Sequence, residues 1–481
     1  MNLFTEEPVS AVTAYGNRIT GKSIQDRYRC PAGYFDFSRD ELGQESGYFR
    51  FGDATAYGHT SNGLQRKQLS SALPDILSCV RIEQGRVTLP FEPEEAIENL
   101  RFERYPESGL DAFELLLKRV YYRLRPFTNA ALRRTIQRFR RGVVSEATFP
   151  HWPVDTSVEA ICEGSLLLAM RAKKVEEIPF VWFWPKGASG CVMMTHDVET
   201  QAGYDLCGQL MDIDDSYEIP ASFQMVPEER YRVGTEGLKT IRERGFEICV
   251  QDLNHDGRLF DDHSEFQRRA AIINRYGKEY GAKGFRAAVL YRNLAWLQHL
   301  DFSFDMSVPN VAHLDPQRGG CCTVMPYFNG NVLELPVTMT QDYSLYSLLG
   351  ERSIDLWKTQ GELVRKKNGL LSFIVHPDYL VKADAKGLYL DLLEYLRQLR
   401  GQENLWFALP SDIDRWWRAR SEMSVTQSGT SYKIEGNYAD QAVLAFARIA
   451  EGRLVYRVCS SNEVPLPGSI GTEFVTARFD D

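Results

Sequence analysis

A chain of 481 residues, 43% apolar and 25% charged, is long enough for roughly two to four domains and has the composition of an ordinary globular protein with a sizeable core. Its formal net charge of −9 excludes nucleic acid as the main partner, because gripping a polyanion calls for an excess of Lys and Arg. The 9 cysteines show no CxxC spacing, and several lie inside apolar runs, as buried thiols in a reducing compartment do. Residues Met1 to Val12 carry Glu6 and Glu7 and lack the basic start and apolar stretch of a signal peptide. No window elsewhere approaches the ~18 apolar residues of a membrane span, so a cytoplasmic location is expected.

Residues 1 to about 95 are rich in Gly, Tyr, Ser and Pro, with short strands expected at Gly47–Phe51 and Arg86–Leu89. From Pro93 to Arg141 the pattern turns helical. Ala96, Ile97 and Leu100 form one apolar face and Phe113, Leu116, Leu117 and Val120 another, and Pro126 interrupts the run. Within it, Lys118–Arg141 concentrates Arg and Lys around Tyr121, Tyr122 and Phe127. Such a face could make a peripheral contact with anionic lipid, or could simply be solvated and paired with the chain's many carboxylates. After Phe149-Pro150-His151-Trp152-Pro153, a helix over Val158–Lys173 leads to the apolar run Ile178–Trp184.

From Val192 onward, apolar runs near 191–196, 221–226, 246–251, 284–288, 301–306, 332–338, 370–375 and 404–408 alternate with amphipathic stretches. The latter cover Tyr204–Asp212, Gly237–Arg244, Glu265–Tyr280, Ile354–Lys367 and Lys386–Arg400. Strands spaced by helices imply a mainly parallel sheet, here an α/β fold closing, or nearly closing, into a barrel. Ser424–Asp481 alternates polar and apolar residues between Gly436, Gly452 and Gly468 and reads as a small β domain. The expected organisation is an N-terminal mixed and partly helical region (1–185), the barrel (186–420) and a C-terminal β domain (421–481).

Four barrel stretches place polar groups directly after a strand-like run: Thr195-His196-Asp197-Val198-Glu199, Gln251-Asp252-Leu253-Asn254-His255-Asp256, Gly284-Phe285-Arg286 and His376-Pro377-Asp378-Tyr379. The C-terminal ends of parallel strands share one face, so these groups are expected to converge. His196 should point to the opposite side of its strand from Asp197, since side chains alternate.

In the order and spacing of these motifs, residues 186 to about 415 resemble the polysaccharide deacetylase family (NodB homology, carbohydrate esterase family four). The resemblance implies a distorted (β/α) barrel that uses a divalent metal to remove an acetyl group from an N-acetylated sugar or other carbohydrate. On it, Asp197 corresponds to the catalytic base, Arg286 to the arginine that keeps the base ionised, and His376 to the acid that protonates the leaving group. Glu199, Gln251 and His255 fall at the metal-ligand positions. The chain departs from the family there: Val198 follows Asp197 where many members have a second carboxylate, and Gln251 stands at the first histidine of His-x-x-x-His. A Gln amide oxygen is a hard, neutral ligand, better suited to Mn²⁺, Mg²⁺ or Ca²⁺ than to Zn²⁺. Asn254 and Asp256 flank His255 as candidate supporting or replacement ligands. Two other functions stay open on these departures: a catalytically impaired barrel that binds a carbohydrate or a biosynthetic partner, and metal-independent C–N hydrolysis of a small amide.

Overall fold

The computed structural model describes residues 17–19, 21–61, 63–106 and 149–466. The basic stretch Lys118–Arg141, and the helical pattern expected beyond Pro106, lie outside the described residues.

The N-terminal part is mixed. Strands β1 (Asn17–Ile19), β2 (Phe37–Arg39), β5 (Arg81–Glu83) and β6 (Arg86–Leu89) form one small sheet in the order β1-β2-β6-β5, and β3 (Ser46–Phe51) and β4 (Ala54–His59) form a hairpin. Helices α1 (Lys22–Tyr28), α2 (Pro93–Arg101) and α3 (Ser157–Lys173) pack against them. Proline opens α2, where a missing N–H costs nothing, and Glu94 and Glu95 complement the positive end of its dipole.

The central sheet begins at β8 (Gly190–Val198) and continues through β9 (Ala221–Met225), β10 (Glu247–Gln251), β11 (Gly284–Arg286), β12 (Phe304–Asp305), β13 (Tyr327–Asn329), β14 (Val332–Glu334), β15 (Leu370–Val375) and β16 (Leu405–Phe407). Its order is β13-β14-β12-β11-β10-β9-β8-β15, with β16 on the start of β8. Every pairing except β13 with β14 is parallel. Helices α4 (Gln201–Ser216), α5 (Thr235–Glu243), α6 (His263–Glu279), the short α7 (Leu294–Leu297), α8 (Asp355–Lys366), α9 (Ala383–Gln402) and α10 (Pro410–Glu422) connect and follow the strands. Residues 192, 194 and 198 of β8 belong to the same apolar cluster as Leu210 and Met211 of α4 and Leu392 and Leu396 of α9, so the alternate set, with Thr195 and Asp197, faces the interior of the sheet.

Each expected barrel strand is present, but the sheet curls into a half-barrel and does not close on a full ladder. Between β14 and β15 the closure rests on Thr338 Oγ1, which donates to Leu370 O (2.6 Å) and accepts from Ser372 N (3.0 Å), and on Met339 N donating to Ser372 O. The run expected to be a strand to 338 stops at Glu334, because Pro336 has no N–H for a ladder.

Strands from before and after the barrel in the sequence meet. Strand β7 (Glu177–Val181), which precedes the barrel, pairs antiparallel with β19 (Leu444–Ala450), and β19 pairs with β20 (Arg453–Val458). A separate sheet is made by β17 (Ser424–Ser428), β18 (Ser431–Glu435) and β21 (Glu463–Pro465). One apolar cluster holds Tyr28, Phe49, Phe180, Trp184, Trp416 and Leu444 together, crossing both expected boundaries, at 185 and at 421. Among the described residues no helix is long and apolar enough to cross a membrane.

Candidate active site

Strand β8 delivers two carboxylates to the C-terminal mouth of the half-barrel. Asp197 faces the interior near the strand end, and Glu199 follows one residue beyond it. Arg286, at the end of β11, reaches across the interior and donates from Nη1 to Asp197 Oδ1 (2.6 Å) and Thr195 Oγ1 (2.8 Å), and from Nε to Met306 O (3.0 Å). The guanidinium is fully buried and Asp197 is 3% exposed. A buried charge pair of this kind is held by its geometry, and removing either partner strands the other in a medium that cannot solvate it.

Glu199 is the hub of the second half. Its Oε1 lies 2.8 Å from His255 Nε2, 3.4 Å from His376 Nε2 and 3.1 Å from Gln251 Nε2. The same Gln251 Nε2 donates to Asp197 Oδ2 at 3.2 Å, so one amide group bridges the two carboxylates. The approach of His255 to Glu199 is a close charge contact without the alignment of a hydrogen bond, since His255 Nε2 has no directed partner. Burial alone would push Glu199 up. The His255 and His376 charges overcome it and hold the carboxylate well below its usual range. Both imidazoles move the opposite way: burial disfavours their charge, but Glu199 raises His255, and Asp342 with Glu199 raises His376 well above the ordinary value of 6.5.

Asp342 is the member of this site that sequence reasoning missed. Its Oδ1 lies 2.6 Å from His376 Nδ1 and its Oδ2 accepts the His376 backbone N–H at 2.8 Å. This fixes the tautomer, with Nδ1–H on Asp342 and Nε2 turned to Glu199. Asp342 opens a short helical stretch that runs into the π-helix Ser344–Leu349, so no strand end pointed to it.

His196 points away from the interior, as the alternation of the strand requires. Its Nε2 pairs with Asp214 Oδ2 of α4 at 2.9 Å, and Tyr389 of α9 donates to the other Asp214 oxygen. Asp256 is taken by Arg269, at 2.8 and 2.9 Å, and Asn254 Oδ1 accepts Asp256 N within its own loop, because Asp252 and His255 both adopt left-handed backbone and turn only His255 inward.

Asp197, Glu199 and His376 offer ligand atoms within 4.8 Å of one another. His376 is tied through Nδ1 to Asp342, whereas His255 Nε2 has no hydrogen-bond partner. Two buried donor atoms in the cluster are unused, His255 Nε2 and Gln251 Oε1. Together with Glu199 these are two oxygens and one nitrogen, a chemistry that suits a divalent cation with a preference for oxygen ligands, while in this structure the Gln251 NH₂ group and not Oε1 faces the carboxylates.

No protein-family model and no curated protein sequence matches the chain. Among solved structures, the chain is similar to a protein of Mycobacterium smegmatis assigned as a polysaccharide deacetylase, at 19% identity over 52% of this chain and 97% of that one, with a TM-score of 0.40. It is also similar to the Puue allantoinase, at 14% identity over 49% and 92% of the two chains with a TM-score of 0.38. A Pseudomonas aeruginosa protein assigned as a polysaccharide deacetylase gives 13% identity over 49% and 93%, with a TM-score of 0.37.

Proposed function

We propose that the protein is a metal-dependent hydrolase that removes an acetyl group from an N-acetylated sugar or related carbohydrate intermediate. The observation that carries this is one buried cluster in which a carboxylate fixed by an arginine (Asp197 with Arg286) faces a carboxylate between two imidazoles, one of them backed by Asp342. The choice of an acetylated sugar comes from the likeness of these motifs to the polysaccharide deacetylase family. A reducing, cytoplasmic setting is supported by 9 free cysteines, most of them buried.

Glu199, His255 and Gln251 would hold a divalent ion, which when bound would supply Lewis acidity toward the acyl oxygen and toward an attacking water. The chain's own groups do the rest. Arg286 holds Asp197 in place through a buried ion pair, and Asp197 so placed takes the proton of the attacking water. His376, held protonated by Asp342, can pass its Nε2 proton to the nitrogen of the departing amine, a group too basic to leave as an anion.

Acetate release from N-acetylated chito-oligosaccharides, measured with Mn²⁺, Mg²⁺ or Zn²⁺ and after chelation, tests the reading. Activity should require added metal, and Asp197→Asn should lower kcat by at least about 10²-fold, the usual contribution of a positioned base. Turnover untouched by chelation or by Asp197→Asn would sink the proposal.

A further inference from the structure

Gln251 uses the two ends of its amide unequally. The nitrogen donates to Asp197 Oδ2 and Glu199 Oε1, while the oxygen is buried with no donor to accept from. An amide has nearly the same shape when turned by half a rotation about its last bond, so both orientations fit one cavity and differ only in which end meets the carboxylates. On the neighbouring strand β9, Gln224 lies in register with both Asp197 and Cys249, on the same interior face, and its own Oε1 is likewise buried and unpartnered. That face therefore carries a second buried amide oxygen with no donor.

We propose that Gln251 is a turning amide that sets the ion preference of the site. With no ion bound, its NH₂ group stands between Asp197 and Glu199 and supplies the donors that keep two buried carboxylates from repelling each other. With an ion bound, the amide turns, Oε1 becomes a neutral, hard ligand, and the nitrogen takes Gln224 Oε1 as acceptor. The consequence is a site that stays assembled when empty and prefers Mn²⁺ or Mg²⁺ to Zn²⁺. This inference rests on the metal-dependent reading above.

The test uses the full chain and reads binding and structure rather than turnover. In protein labelled with ¹⁵N-glutamine and stripped of metal, the Gln251 side-chain NH₂ resonances, identified by their loss in Gln251→Glu, should sit at hydrogen-bonded positions and shift when Mg²⁺ is added to saturation. In Mn²⁺ calorimetry, Gln251→Glu, which adds an anionic oxygen but no donor, should bind at least about tenfold more tightly than wild type, and Gln251→Leu at least about tenfold more weakly. Both variants should melt at lower temperature than wild type in chelator, since neither bridges the carboxylates. NH₂ resonances that stay in place on Mg²⁺ saturation, or Mn²⁺ affinities equal to wild type in both variants, would overturn the inference while leaving the hydrolase reading intact. A wild-type protein that binds neither Mn²⁺ nor Mg²⁺ would overturn the hydrolase reading itself.

Discussion

His376 sits between two carboxylates, and its proton belongs to that arrangement more than to the imidazole. Asp342 at 2.6 Å and Glu199 at 3.4 Å raise it well above 6.5 against the opposing effect of burial. Asp342→Asn keeps the shape but removes the charge, so the His376 titration should fall back toward 6.5 in an NMR titration of the imidazole resonances. The sign for stability follows. A histidine raised by folding stabilises the native state fully below its unfolded pKa, and that contribution disappears as pH rises through the folded value. In the proposed reaction, the alkaline limb of activity should move to lower pH in Asp342→Asn, because the acid loses its proton sooner. A His376 titration that does not move in the variant would show that Asp342 only orients the ring.

At the scale of elements, β12 and β14 are short strands with an unusual junction. Asp305 and Glu334 face each other in parallel register, both buried. Ser307 donates to both Asp305 oxygens (2.7 and 3.1 Å), and Val308 N donates to Glu334 Oε1 (3.0 Å). Burial raises both carboxyls, and the neighbouring Asp305 charge adds to the rise for Glu334. An acid raised by folding destabilises the native state as pH climbs from the unfolded pKa, near 4.5 for Glu334, toward the folded one. Wild-type stability should therefore decline across that window, and Glu334→Gln, permanently neutral, should flatten the decline. Urea unfolding of both proteins from pH 5 to pH 9 gives the two slopes. Identical slopes would mean that the pair is already ionised in the fold.

At the scale of the whole molecule, the barrel is flanked by a strand that precedes it and a strand that follows it, and these two pair with each other. The pairing of β7 with β19 buries Phe180 and Leu444, and Arg420 of α10 ties the same corner, donating to the carbonyls of Val181 and Trp182 on one side and Arg27 on the other. These contacts make the C-terminal strands part of the core. Leu444→Ala should cost about 2–5 kcal/mol by denaturant unfolding, the range for a large core side chain cut to Ala. The loss should appear in the main cooperative transition. A small, separate early transition that carries all of the loss would instead show an independent C-terminal domain.

Sequence by itself determined the local periods and the chemistry they carry. The alternation of apolar runs with amphipathic stretches located the central strands and the principal helices, because side-chain period is a property of consecutive residues. The same period told Asp197 from His196, one to the interior and one to the α4 side. Convergence of Asp197, Glu199, Gln251, His255, Arg286 and His376 was legible as well, since parallel strands place their C-terminal ends on one face. Tertiary structure alone decided the rest. Asp342 reaches His376 from the start of a short helical stretch 34 residues away, which no strand period reports. The β7–β19 pairing depends on which apolar surface is left uncovered once the barrel has formed. Which end of the Gln251 amide meets the carboxylates is set by charges on another strand, because the amide's own shape is indifferent to the choice.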